Sequence, residues 1–360
     1  MVATNGLKVA SPLSLGPGRI GRENACIIAL ARNSDKDGIL KTLRTFEPTF
    51  NARHRYPYIF FNHEPFNQEF KDAILGATNA SVRFEVITEA HWSIPRAFSR
   101  KEVEASIKEQ SKKDVNGGKE SYHHMCRFYS GFFAQQEALK DFKYYWRIEP
   151  DVSFYCKLNY DPFELMRTHK KRYGFNIMAE ETETTIPTLW NATLDYMYNR
   201  KMAFPPHLKA FEKPKDKIDS KSEYNLAHFW SNFEIGDLDF FRSSDYLDYF
   251  DYLDKRGGFF FERWGDAPVH SLAVGLFMDP TEVHYFYDIG YEHSGFAHCP
   301  VNVPSVGVYF DSCECNHFHT KEDWMVSVDH HFWNLVYKDY LAFLDKHSLE
   351  LAKNKPASRQ

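Results

Sequence analysis

No apolar run in the chain approaches the roughly 20 residues that span a bilayer. The opening residues, MVATNGLKVASPLSLGPGR, also lack the apolar core of a secretory signal. That Gly/Pro/Ser-rich start reads as a linker or stem remnant over residues 1–21, with any anchor lying upstream of it. Long basic runs are missing as well, and the formal net charge is −5. The segment RKEVEASIKEQSKKD (100–114) alternates in sign, as a solvated helix face does. Nucleic acid is therefore not an expected partner. Neither G-x-G-x-x-G nor G-x-x-x-x-G-K-[ST] follows the first strand-like segment, which argues against a dinucleotide fold and a P-loop. Internal repeats and long low-complexity segments are absent too.

Aromatics, by contrast, are plentiful: 17% of 360 residues, with 32 Phe and 21 Tyr. Aromatic faces stack on sugar C–H groups, but they also fill cores, and the core is the commoner use. The order of segments is more informative. CIIALAR (26–32), PYIFFN (57–62) and VRFEVIT (82–88) read as strands. Between them, Ile39, Leu40, Leu43 and Phe46 recur at helical spacing, and EPFNQEFKDAILG (64–76) reads as a second helix. Strand–helix–strand–helix–strand predicts an α/β fold with a mostly parallel central sheet flanked by helices. Such sheets bind ligands beyond the carboxyl ends of their strands. KMAFPPHLKAFEKPKDKIDSKSE (201–223) reads as an exposed loop inside one domain over residues 22–345, followed by a polar tail, 346–360.

One stretch breaks the aromatic pattern. In YYWRIEPDVSFYC (144–156) two acids, Glu149 and Asp151, flank Pro150. Proline is confined to the ends, edges or bulges of sheets, so the strand should end and turn there. In extended backbone both acids would share one face. Two carboxylates so placed at the carboxyl edge repel unless a cation lies between them. A hard divalent ion completed by substrate phosphates meets that demand. The alternative is a pair of acids salt-bridged to Arg147 or capping a turn.

YYWRIEPD, with SYHHMCRFYSGFF, TIPTLW, HFWSNFEIGDLDFFRS, GGFFFERWGDAPVHS and VHYFYDIGYEH, closely resembles the fungal α-1,2-mannosyltransferases of glycosyltransferase family 15. ARNSD and YPYIFFNHEPF extend the resemblance towards the start, so that it covers about residues 22 to 345. NHEPF departs from the pattern, with His63 where an acid is expected; that departure is read as affecting a surface contact.

The resemblance implies a GT-A-type nucleotide-sugar-binding fold, GDP-mannose as donor, Mn2+ as cofactor and transfer with retention to the 2-hydroxyl of a mannose-terminated acceptor. It implies Glu149 as metal ligand with Asp151 beside it, and His293 as the second ligand ahead of His298. Imidazole favours Mn2+ over Mg2+. Tyr122 matches the tyrosine that bonds the diphosphate. Arg127, five residues on, is either a second phosphate donor or a member of an ion pair. Arg32 is placed near the nucleotide by topology alone. Glu234 matches the carboxylate at the reacting carbon, acting as nucleophile or, in a same-face route, stabilising positive charge on the sugar. Asp266 and Glu181 fit contacts to sugar hydroxyls, and His270 reads as a packed helix residue. Trp230, Trp264 and Tyr291 are open candidates for sugar stacking.

Cys299, Cys313, Cys315, His317 and His319 crowd CPVNVPSVGVYFDSCECNHFH. They read as a zinc site or as disulfides, and the Golgi lumen implied by the resemblance favours disulfides. The pairing is not legible from sequence. Sequons occur at Asn79 and Asn191. Two other readings stay open: a mannan-binding or scaffold protein of the same fold, and a relative forming α-1,3 linkages.

Overall fold

The structure, a computed structural model, describes residues 22–114, 116–213, 222–300 and 313–315. The expected linker (1–21), polar tail (346–360), His317 and His319 lie outside these, as does most of the Lys-rich part of segment 201–223.

The strands are β1 (Ala25–Leu30), β2 (Tyr58–Asn62), β3 (Val82–Val86), β4 (Tyr144–Arg147), β5 (Ser153–Phe154), β6 (Tyr173–Phe175), β7 (Met178–Glu180), β8 (Ala227–Phe229), β9 (Glu234–Asp237), β10 (Val283–Tyr285), β11 (Tyr291–His293) and β12 (Phe296–His298). Seven of them form the central sheet in the order β10-β6-β9-β4-β1-β2-β3. Pairing is parallel from β4 through β1 and β2 to β3, while β9 runs antiparallel to both β4 and β6. The sheet is thus mostly parallel, as expected, and its one reversed strand, β9, lies outside the strand–helix–strand order of residues 26–88.

β2 and β4 are buried along their whole length, and β1 is buried at all but its last residue, Leu30. Helices cover both faces, so these strands read as continuous apolar runs instead of alternating ones. Between β1 and β2 lies the helix Lys36–Phe46, and between β2 and β3 the helix Gln68–Ala77, started by Asn67, whose side chain accepts from Phe70 N at 2.8 Å.

The aromatic surplus goes mainly inward. Trp146 sits 4.9 Å from Phe46, 5.1 Å from Phe50 and 5.5 Å from Phe233 between ring centroids. Such offset and edge contacts add to the apolar area each ring removes from water. Gly236 on β9 makes room for this density: a Cβ there would lie 2.7 Å from the Tyr145 ring.

A second, three-stranded antiparallel sheet, β12-β11-β5, stands at the carboxyl edge of the first. β5 begins two residues beyond Asp151 and pairs with β11, setting Tyr291 against Phe154 and Glu292 against Ser153. The turn that ends β4 therefore also delivers the strand on which His293 is hung.

Candidate active site

Pro150 ends β4, as its missing N–H requires. Asp151 then adopts φ 63°, and its N–H bonds to Gly38 O at 3.1 Å. The backbone is left-handed here, not extended, so the two acids do not share a face. Asp151 lies against the first turn of helix Lys36–Phe46, close enough that a Cβ on Gly38 would fall 2.8 Å from its Oδ2. An anion is favoured beside the free N–H groups of a helix start. Asp151 lines neither chamber of the cleft described next, a correction to its expected place beside Glu149.

Glu149 does face the cleft. This has two connected chambers, of about 570 Å3 and 300 Å3, which share Glu149, Tyr122, Met125 and Asn116. The smaller runs over the end of β1, between Arg32, Asn62, His63, Trp92 and Tyr129. The larger is bounded by Glu181, Trp230, Arg263, Asp266, His293 and Phe296, among others. His63, expected to matter only at the surface, stacks on Trp92 at 5.2 Å and lines the smaller chamber.

Glu149 Oε1 accepts from Arg147, with Nε at 3.0 Å and Nη2 also in contact. Its Oε2 has no hydrogen-bond partner among the described residues. Arg147 is 2% exposed, lies 3.5 Å over the Tyr129 ring, and donates from Nη1 to Asp266 Oδ2 at 2.5 Å. Burial works against its charge, but Asp266 and Glu149 outweigh that and hold its pKa well above the usual arginine value. One guanidinium therefore aims both carboxylates. Burial favours the neutral acid at Asp266, yet Arg147 wins and its pKa is lowered. Ser231 Oγ bonds the same Asp266 oxygen at 2.7 Å.

His293 stacks on Trp230 at 5.5 Å, and its buried Nδ1 has no hydrogen-bond partner among the described residues. An orphaned imidazole nitrogen costs stability unless a ligand completes it. Among the described residues no group of three or more His, Cys, Asp or Glu side chains is arranged to hold a metal ion. Glu149 and His293 both line the larger chamber, so an ion held by them would take the rest of its shell from substrate and water, the usual arrangement for an ion bound with phosphates. The larger chamber carries five carboxylates (Asp114, Glu149, Glu180, Glu181, Asp266) against two guanidiniums, Arg147 and Arg263. An anionic ligand enters such a cleft only with a cation. The residues present fit a divalent ion.

Glu234 is elsewhere. It is 0% exposed and lines neither chamber. Its carboxylate accepts from Tyr145 Oη, from Tyr173 Oη at 2.7 Å and from His270 Nδ1 at 2.7 Å. His270 Nε2 meets Tyr129 O at 2.9 Å. Burial disfavours the imidazolium, but Glu234 outweighs it and the His270 pKa is raised. His270 is indeed a packed helix residue, and in addition the counter-ion of Glu234.

The other expected residues divide. Tyr122 lines both chambers, its phenol pKa raised chiefly by burial, and Arg32 lines the smaller one in a bidentate pair with Asp35. Glu181 lines the larger one. Arg127 is not brought to the cleft: it forms a bidentate pair with Asp254 at 2.6 and 2.7 Å and donates to Ser93 O, the ion-pair alternative. Trp264 and Tyr291 are at most 1% exposed, so of the three stacking candidates Trp230 alone lines the larger chamber, with Phe296 5.4 Å from it. His298 is buried against Tyr287 O. Sequence reasoning missed Arg263 and Asp114; the signal for Arg263 was its place three residues before Asp266.

Cys156–Cys313 and Cys299–Cys315 are disulfides, and Cys26 and Cys126 are free and buried. No described helix is long and apolar enough to cross a membrane.

A mostly parallel sheet with one reversed strand, and an acid and an imidazole facing a deep cleft at its carboxyl edge, defines the class: a GT-A-type glycosyltransferase fold. The chain belongs to the glycolipid 2-alpha-mannosyltransferase family, whose sequence pattern matches residues 8–334. It is 42% identical over 300 residues to the glycolipid 2-alpha-mannosyltransferase of Saccharomyces cerevisiae, covering 83% of this chain and 66% of that one. It is 40% identical over 323 residues to the O-glycoside alpha-1,2-mannosyltransferase omh1 of Schizosaccharomyces pombe, covering 89% and 79%. The chain thus spans just under two thirds of the first relative's length. Among solved structures it resembles core-mannan synthase A (CmsA/Ktr4) from Aspergillus fumigatus in its Mn/GDP form, with TM-score 0.79, 36% identity, and 89% and 87% coverage.

Proposed function

We propose that the chain transfers mannose from GDP-mannose to the 2-hydroxyl of a mannose-terminated acceptor, with retention and with Mn2+ as cofactor, in the Golgi lumen. The observation that carries this is the presence of Glu149 and His293 on the lining of one acidic chamber, with His293 Nδ1 unpartnered among the described residues. The Mn/GDP form of the Aspergillus relative supports the choice of ion and nucleotide. Two disulfides support an oxidising compartment.

Glu149 and His293 hold the ion, which when bound offsets charge on the diphosphate and on the leaving GDP. Tyr122, common to both chambers, donates to the diphosphate where nucleotide and sugar sites meet. Arg32 approaches the nucleotide. Arg147 fixes Asp266 and Glu149 in place, so that Asp266 and Glu181 are left as acceptors for sugar hydroxyls. Trp230 and Phe296 form an apolar wall on which an acceptor mannose packs. The burial of Glu234 favours the same-face route, in which its charge acts through the network beneath the cleft floor and stabilises the sugar cation without bonding to it.

The test is GDP release from GDP-mannose, with Mn2+ or chelator, and with or without α-methyl mannoside. Release that needs both establishes the transferase, and α-1,2-mannosidase digestion of the product separates that linkage from α-1,3. No release from folded protein, with GDP–Mn2+ bound, would instead favour a binding protein of the same fold.

A further inference from the structure

One cleft residue has no part in the scheme above. Arg263 is 7% exposed and lines the larger chamber. Its guanidinium meets four residues on three stretches of chain. Nη2 donates to Glu181 Oε1 at 2.9 Å and to Thr185 Oγ1 at 3.1 Å. Nη1 reaches Tyr122 Oη at 3.4 Å, and the guanidinium carbon lies 5.6 Å from the Tyr122 ring centroid. Nε approaches Asp114 Oδ1 at 3.2 Å, yet makes no hydrogen bond, so a buried N–H is left unsatisfied. That same oxygen already accepts from Asn116 N at 2.9 Å and Gly117 N at 3.0 Å.

These contacts join the two walls of the cleft. Tyr122 and the turn carrying Asp114 stand on the side shared with the nucleotide chamber, while Glu181 stands on the sugar side. The backbone is tied as well, with Arg263 N bonded to Thr185 O at 2.9 Å. A planar fork of five donors can span such a set; a lysine ammonium, with its donors on a single nitrogen, cannot. Without the charge, Glu181 and Asp114 would both face an entering diphosphate unpaired, and donor binding would be opposed.

We infer that Arg263 is a positioning residue for the donor: it holds the Tyr122 phenol against the phosphates in register with Glu181 on the opposite wall. This rests on the proposed GDP-mannose site. Arg263 acts through Tyr122, so the two residues must be energetically coupled.

The test is a double-mutant cycle of Arg263→Lys and Tyr122→Phe, read by steady-state kinetics and by calorimetric GDP–Mn2+ binding. Each single variant should raise KM for GDP-mannose about tenfold, the scale of one hydrogen bond to a charged group. The double variant should stay within about threefold of the worse single one, since removing a shared interaction twice costs little more than once. KM should move more than kcat; a merely structural loss lowers the active fraction and leaves KM unchanged. Thr185→Val leaves the cleft lining intact but removes one anchor of the fork. It should raise KM by about two- to fivefold, less than losing the Tyr122 contact itself because the remaining bonds still hold the fork, even where Arg263→Lys folds poorly. Multiplicative effects approaching about a hundredfold, or an unchanged KM in both Arg263→Lys and Thr185→Val, would overturn the inference while wild-type GDP–Mn2+ binding persists. Absence of that binding in the wild type would overturn the donor site itself, and the inference with it.

Discussion

Glu234→Gln is the most discriminating perturbation, because it separates a reacting carboxylate from a buried structural one. The carboxylate accepts three hydrogen bonds, from Tyr145, Tyr173 and His270, with no exposed surface. Glutamine keeps the shape but offers one acceptor oxygen and an NH2 group, so at least one of the three buried donors loses its acceptor. It also removes the counter-charge that holds the His270 pKa up. Removing one member of a buried ion pair costs about 3–5 kcal/mol, and the amide's remaining bonds place this variant near the lower end. At roughly 2–4 °C per kcal/mol, the smaller value suiting so long a chain, the thermal midpoint should fall by about 5–10 °C. Calorimetry or circular dichroism measures this. GDP–Mn2+ affinity, read well below the midpoint, should stay near that of the wild type, while transfer is lost. An unchanged midpoint together with abolished transfer would refute the buried-keystone reasoning. It would place Glu234 in contact with the donor as a nucleophile.

Other outcomes follow from the same geometry. Glu149→Ala or His293→Ala removes one of the two proposed protein ligands and should weaken Mn2+ binding by about 100-fold, the upper end of what losing even an outer ligand partner costs; titration by electron paramagnetic resonance measures it. His270 has a raised pKa in the folded state, so the stability it contributes is complete below its unfolded value of about 6.5 and is lost as pH rises through the folded value. The stability gap between wild type and His270→Asn should therefore narrow as the buffer is made alkaline, and a gap that widened would contradict the ion pair. Disulfides closing 157 and 16 residues should contribute about 5 and 3 kcal/mol by loop entropy, so dithiothreitol should lower the thermal midpoint. Under non-reducing denaturation two thiols, Cys26 and Cys126, should titrate; four or six would contradict the pairing.

The sequence by itself determined the strand and helix order, the mostly parallel sheet and the family. It also determined where β4 must stop, because a proline cannot donate to the ladder. Residue types at the acid–proline–acid step suggested a hard cation near Glu149, and the family resemblance supplied His293 as its imidazole partner. These are local matters, set by backbone chemistry and by the period of apolar residues. Tertiary structure decided which side chains remain free to act. Arg127 and Tyr122 sit on one short helix, yet Arg127 is taken up by Asp254, 127 positions away. Asp151 turns from the cleft because its φ is positive where extended backbone was expected. Trp264 and Tyr291 were as good candidates for sugar stacking as Trp230 until packing buried them. Glu234 is enclosed by Tyr145, Tyr173 and His270, and Arg263 gathers three stretches of chain that no single motif spans. The physical reason is the same in each case. A charged or aromatic side chain is spent on whichever partner the fold brings within bonding distance, and those partners lie tens to more than a hundred residues away along the chain.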